Sequence, residues 1–261
     1  MKPLAIAFLL ITILLTLTAT ISMGAQPGVD IPGDRAPVLS AQPPAQAFQA
    51  VETPVIDGDL SDWGLFPHLY MDKDTADFVR VEPDSDPPPE PADASVYQWA
   101  MWSGTDLFFG LHIDDDVIVN DSELVWWDDE IELAFIGAFD GIPGGGDDHQ
   151  YTVNADGRKS DFGIPATPVP IEVGTSVVPD GWDVEVRIAA EDLYGVNAPL
   201  VAGKTMAFSL GLHDDDTGGY YDLHMIWAGN ATWNQADGEL QLVEDFAAIP
   251  QPLYLPIISA Q

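Results

Sequence analysis

The stretch WDVEVRI, Trp182 to Ile188, alternates without a break. Side chains on a strand point to opposite faces in turn, so Trp182, Val184, Val186 and Ile188 share one face and Asp183, Glu185 and Arg187 the other. An apolar face backed by a polar one is the pattern of a half-buried strand in an antiparallel sheet. Similar short runs flank it: Val96–Trp102, Leu107–Ile113, Glu130–Ile136, His149–Asn154, Ile171–Val178, Met206–His213 and Leu240–Val243. Clusters of Gly, Pro, Asn and Asp separate them, as turns require. Only Ala189–Leu193 suggests a helical turn. Many short strands without alternating helices predict an all-β fold, an antiparallel β-sandwich of jelly-roll or immunoglobulin-like type with long surface loops.

The ends of the chain read differently. Lys2, the apolar run Leu4 to Ile21 and the small residues Ser22, Gly24 and Ala25 predict an export signal over residues 1–25. The protein is then expected to be secreted or held at the cell surface, with no membrane insertion after cleavage. Residues 26–50, rich in Pro, Ala and Gln, read as a linker. The folded domain is expected over 51–246, with an acidic loop at Glu82 to Ala94 and a Pro-broken apolar tail over 247–261.

Eight Lys and Arg against 43 Asp and Glu give a formal charge of −35. Such a potential repels phosphate backbones and anionic membrane surfaces, which argues against nucleic acid and lipid head groups as partners. Cations and neutral polar ligands fit it, as does plain adaptation to salt. With no cysteine, disulfides, thiol catalysis and zinc–thiolate sites are excluded. The core must hold the domain, helped by a bound ion.

Candidate chemistry concentrates in LVWWDDEIELAFI, Leu124 to Ile136. Asp128, Glu130 and Glu132 are expected to share a strand face. Two carboxyls roughly 5 Å apart are what a retaining glycosidase needs. However, the E-x-D-x-x-E run of laminarinase-type hydrolases lacks its third acid here, and a solvated strand face accounts for the pattern better. Three acidic clusters, Asp114-Asp115-Asp116, Asp147-Asp148 and Asp214-Asp215-Asp216, supply the hard oxygens Ca²⁺ prefers. A structural calcium ion is therefore expected. The histidines (His68, His112, His149, His213, His224) show no metal-binding spacing; His112 with Met225 is the one pair weighed as haem ligands. Gly144-Gly145-Gly146 is a turn tip. Trp182 belongs to the core by phase. Trp126 and Trp127, read as neighbours on a strand, are expected to face opposite ways, Trp126 towards a ligand and Trp127 into the core. An exposed indole suits the C–H face of a sugar ring.

Taken in order, the motifs resemble those of the family 9 carbohydrate-binding modules and the wider DOMON-like superfamily. They are PVIDGDLSDW (Pro54 to Trp63), AMWSGTDLFFGLHIDDD, WWDDEIELAFI, HQYTVNADG, GWDVEVRIAAEDL, GKTMAFSLGLHDDD and finally MIW with DGELQL. The resemblance implies a non-catalytic β-sandwich that captures oligo- or polysaccharide ends, and structural calcium. It places the two ring-stacking tryptophans on Trp126 and Trp227, and the hydrogen-bonding Glu and Asn on Glu132 and Asn154. The family's Arg falls on Thr152, which cannot supply a guanidinium's forked donors. Either the sugar differs, or the fold serves as a cell-surface scaffold without a glycan.

Overall fold

The computed structural model describes residues 42–64, 66–81, 94–135, 148–161, 169–194, 199–229 and 236–244. They fall within one compact unit, Pro37–Gln261. The expected signal, most of the linker, the apolar tail, Gly144-Gly145-Gly146, Asp147 and most of the acidic loop lie outside the described residues. Among the described residues there are thirteen strands: β1 Ala45–Gln49, β2 Leu69–Met71, β3 Phe78–Val81, β4 Ser95–Trp102, β5 Asp106–Asp114, β6 Glu130–Phe135, β7 His149–Asn154, β8 Lys159–Asp161, β9 Ile171–Val178, β10 Gly181–Ala189, β11 Thr205–Asp214, β12 Leu223–Ile226 and β13 Gly238–Val243. One short helix, α1 (Ala190–Tyr194), follows β10. Every strand expected from alternation is present within two residues of its expected bounds.

The strands follow one path, β8-β7-β6-β11-β13-β1-β4-β5-β10-β9, with β12 and β3 branching from β11 and β2 from β4. β11 turns the corner. Thr205–Phe208 pair with β13, while Ser209–His213 pair with β6 and Gly211–Asp214 with β12. The curl makes a sandwich. Phe109 of β5 stacks on Phe208 of β11 at 5.5 Å, and Phe135 of β6 closes on both, at 5.9 and 5.4 Å. Burying each such ring is worth about 2–3 kcal/mol.

The all-β sandwich is as expected, with two differences in detail. The sheet begins inside the region read as linker, because β1 inserts between β13 and β4. β1 also runs parallel to both neighbours, so the sandwich is mostly rather than wholly antiparallel. Its short sequence AQAFQ carries too little β-branched character to stand out from the Ala- and Gln-rich segment before it.

The opening motif PVIDGDLSDW packs on the outer face of β10. The Asp57 and Gly58 amides donate to Glu185 Oε2, Asp57 at 2.8 Å, and Trp63 Nε1 donates to Oε1 at 2.6 Å. The Trp63 indole lies across Gly110, where a Cβ would come within 2.6 Å of the ring. Glu185 is consequently 0% exposed on what the alternation marks as a solvent face.

Candidate functional site

Register places the polar side chains of the second layer in rows across one face. Glu130 pairs with Asn154 and with His213, and His213 with His224, whose other neighbour is Arg80. The next row runs Ser160, Thr152, Glu132, Gly211, Ile226 and Phe78. A third places Gln150 beside Ala134 and Ser209. The alternate residues Ile131, Leu133, Phe135, Tyr151, Val153, Leu210 and Leu212 fill the core.

This face is polar but not solvated. Glu130, Thr152 and Asn154 are fully buried, and His213, Glu132 and Gln150 nearly so. That overturns the expectation of a solvated acidic face for Asp128, Glu130 and Glu132. Burial, with Asp128 nearby, pushes the Glu130 carboxyl well above its ordinary range. Burial and the Glu130 charge push Glu132 up to about 7. Gln150 Nε2 donates to Glu132 Oε1 at 2.8 Å, leaving Gln150 Oε1 without a hydrogen bond among the described residues.

The rim is aromatic. Trp126 and Trp127 lie on a 3₁₀ turn, Val125–Trp127, not on a strand. The two-face rule therefore does not apply to them. Trp127 is 36% exposed and not core; it meets Tyr220 edge-on at 5.6 Å. Tyr220, also exposed, stacks on Tyr221 at 4.2 Å, and Tyr221 stacks on His213 at 3.9 Å. Trp126 is half-buried beside it. Tyr220, Tyr221, His213 and His224 were not foreseen as a group. Their signal is the turn-rich DDDTGGYYD between two apolar strands, a hairpin connection that sets His213 opposite His224.

The remaining expected residues fare unevenly. Trp227 is 4% exposed in the core cluster, tilted against Phe208 at 6.1 Å. Its ring is consumed by packing and presents no face to a ligand. Asn154 is committed at both ends: Nδ2 donates to Asp128 Oδ2 at 3.1 Å, and Oδ1 accepts from the Arg158 amide at 2.9 Å. Asp128 also accepts from the Ser122 amide and pairs with Arg158, so Asp128 and Asn154 tie the loop to the sheet. Met225 is core, whereas His112 sits on the outer face of β5 between Asp183 (2.7 Å) and Asp114 (3.2 Å). They do not meet, and no haem pair forms from them.

The acidic clusters regroup in space. Asp115, Asp129 and Asp214, all buried, bring carboxylate oxygens within 4.8 Å of one another; Asp115, Asp116 and Asp216 form a second group, and Asp121, Asp128 and Asp215 a third. Burial and the Asp115 charge push Asp129 up to about 9. Hard oxygens gathered in this way could hold a cation such as Ca²⁺. Asp114 joins His112 and Asp180 in a group with an imidazole donor, on the outer face, and Asp148 joins no such group among the described residues.

Residues 83–244 match the model of the carbohydrate family 9 binding domain-like family. The fold is similar to a family 9 carbohydrate-binding module from Caldicellulosiruptor kristjanssonii solved with cellotriose. The TM-score is 0.58 at 20% identity, covering 80% of this chain and 98% of that one. The same module solved with glucose gives TM-score 0.58 and 20% identity over 79% of this chain and 100% of that one. No curated protein matches the chain in sequence.

Proposed function

We propose, on the premise that this chain belongs to the carbohydrate family 9 binding domain-like family, that the polar face of its second layer captures carbohydrate. The family is one of binding modules, and the chain is not an enzyme; Glu130 and Glu132 serve no hydrolysis. The observation that carries the reading is the pairing of exposed aromatic rings with buried, incompletely satisfied polar groups. Trp127 and Tyr220 stand open at the rim, and Gln150 Oε1 and Glu130 lie below them on the same sheet face. Such a mixture suits a pyranose, whose C–H face stacks on rings while its hydroxyls seek fixed donors and acceptors.

In this reading Trp126 stacks on the terminal sugar and Glu132 accepts from a hydroxyl, with Gln150 beside it. Gln150 takes over the amide role first assigned to Asn154, and the aromatic pair Trp127–Tyr220 takes over from Trp227. Thr152 in place of an arginine leaves the floor without a cation-bearing fork, so the ligand is expected to be neutral and held by neutral hydrogen bonds. Calcium would be held by Asp115, Asp129 and Asp214, fixing the loop that carries Trp126. The ion supplies charge compensation there and makes no contact with sugar. The domain is proposed to act outside the cell; among the described residues no helix is long and apolar enough to cross a membrane.

Retention on cello-, xylo- and gluco-oligosaccharides in calcium buffer tests this. Trp126→Ala is expected to abolish retention while leaving the thermal midpoint nearly unchanged. Unfolding by that substitution would make Trp126 a packing residue. Silence of the unmodified chain across all three ligand classes would favour the scaffold reading.

A further inference from the structure

The two rows nearest the hairpin set His213 and His224, which the carbohydrate reading does not use, against Glu130 and the Oε2 side of Glu132, whose Oε1 stays with Gln150. We propose that Glu130, Glu132 and His213, with His224 as a fourth donor, form a binding site for a divalent first-row transition-metal ion such as Zn²⁺. Ligand atoms of the first three lie within 4.8 Å of one another. His213 Nδ1 stands 2.7 Å from Glu130 Oε1, and His224 Nε2 stands 3.9 Å from Glu132 Oε2. Donors about 2.0–2.1 Å from a tetrahedral ion stand roughly 3.3–3.4 Å apart, so the first pair would open and the second close by about half an ångström on binding.

The fold builds this site deliberately from three strands. Glu130 and His213 are register partners across β6 and β11, and His213 and His224 across β11 and β12. Gly211 is the enabling residue. A Cβ there would come within 2.8 Å of Glu132 Oε2, so the glycine lets the Glu132 side chain lie across β11 towards the histidines. Tyr221 stacks on His213 and Phe78 meets His224 edge-on at 5.4 Å, which fixes both rings.

A second, independent observation points to a ligand. Glu130 is 0% exposed, and apart from the approach of His213 neither of its oxygens has a hydrogen-bond partner among the described residues. A buried carboxylate left without donors costs several kcal/mol, and a bound cation would offset that cost. The donor set chooses the metal. Imidazole nitrogen with carboxylate oxygen suits Zn²⁺, Co²⁺ or Fe²⁺, whereas Ca²⁺ takes oxygens. The all-oxygen aspartate groups would take calcium, so the two kinds of site separate by chemistry.

The test uses the full chain in a large excess of Ca²⁺, which occupies the aspartate groups. One equivalent of Co²⁺ is expected to give visible d–d absorption that one equivalent of Zn²⁺ abolishes. Glu130→Gln and His213→Gln are each expected to weaken Zn²⁺ at least about tenfold, the loss typical even of indirect metal-site substitutions. His112→Gln, which removes the separate His112–Asp114–Asp180 group, is expected to leave the affinity that depends on Glu130 and His213 unchanged. Absence of the Co²⁺ bands overturns the proposal, as does unchanged Zn²⁺ affinity in a folded Glu130→Gln protein. Should the variants fail to fold, ring ¹⁵N resonances of the unmodified chain decide. A zinc-induced shift at His213 supports the site, and shifts confined to His68, His112 or His149 overturn it. The readout is the metal itself, so the outcome stands apart from whether glycan is retained.

Discussion

Glu185 on β10 and Glu130 on β6 are both strand glutamates pointing away from the core, and both are 0% exposed. Their surroundings are opposite. Glu185 accepts from two backbone amides and the Trp63 indole, all supplied by the segment folded over it. Glu130 has the His213 ring beside it and no hydrogen bond. A buried carboxylate with its acceptors filled is a fastening for the fold. One left open, under a rim of exposed rings, marks the surface where something else is meant to arrive.

The strongest way to break this contrast is to remove each carboxylate in turn. Glu185→Ala strands three donors at once, the Gly58 amide and the Trp63 indole among them buried, and is expected to cost about 3–5 kcal/mol in urea unfolding. Glu130→Gln, measured without metal, is expected to leave stability unchanged or raise it by about 1 kcal/mol, since it replaces a buried ionisable group by a neutral one. Equal losses from both would show that Glu130 is also a fastening.

Acidity sharpens the same point. Glu132 is raised to about 7 and Asp129 to about 9 in the folded chain. A carboxyl whose folded value lies above its unfolded one binds more protons when folded. Its stabilising effect is complete below the unfolded value of roughly 4 and disappears as pH rises through the folded value. In EDTA, stability should therefore fall between about pH 4 and 9, by on the order of 3 kcal/mol from Glu132 alone. Adding Ca²⁺ and Zn²⁺ should flatten that slope, and an EDTA-insensitive profile would argue against cations at either place.

Smaller effects are expected at the rim and on the far layer. Trp127→Ala should change stability by less than about 1 kcal/mol, as exposed positions do, while weakening glycan retention. On the outer face of β5, the hydrogen bonds His112 donates to Asp114 and Asp183 raise its pKa to about 10. That contribution is fully present below about pH 6.5 and is lost as pH climbs through 10. Solvent screening limits it to about 1 kcal/mol or less. His112→Gln should remove this alkaline step and leave the metal-dependent slope untouched.

How far the sequence could be read varied with the range of the cause. Strict alternation in Trp182–Ile188 and its relatives gave every strand long enough to show a period. Strands of three or four residues, and β1 in its Ala- and Gln-rich context, are too short or too plain to carry one. Trp126 and Trp127 looked like strand neighbours because they abut β6. The 3₁₀ turn that holds them is set by hydrogen bonds such as Trp127 to Leu124 and Asp128 to Val125, which leave little trace in composition.

What the sequence determined by itself was the class of fold, the acidity that turns anions away, and a motif order sufficient to place the family. Periodicity and charge are local or summed quantities, and they survive without coordinates. Tertiary structure alone decided which polar residues form a site. His213 and His224 come together through a hairpin, and Asp115, Asp129 and Asp214 through loops far apart in the chain. Whether Trp227 or Asn154 is free to meet a ligand depends on what packs against it. Burial and unfilled hydrogen-bonding capacity are properties of neighbours in space, and no residue carries them in its own letter.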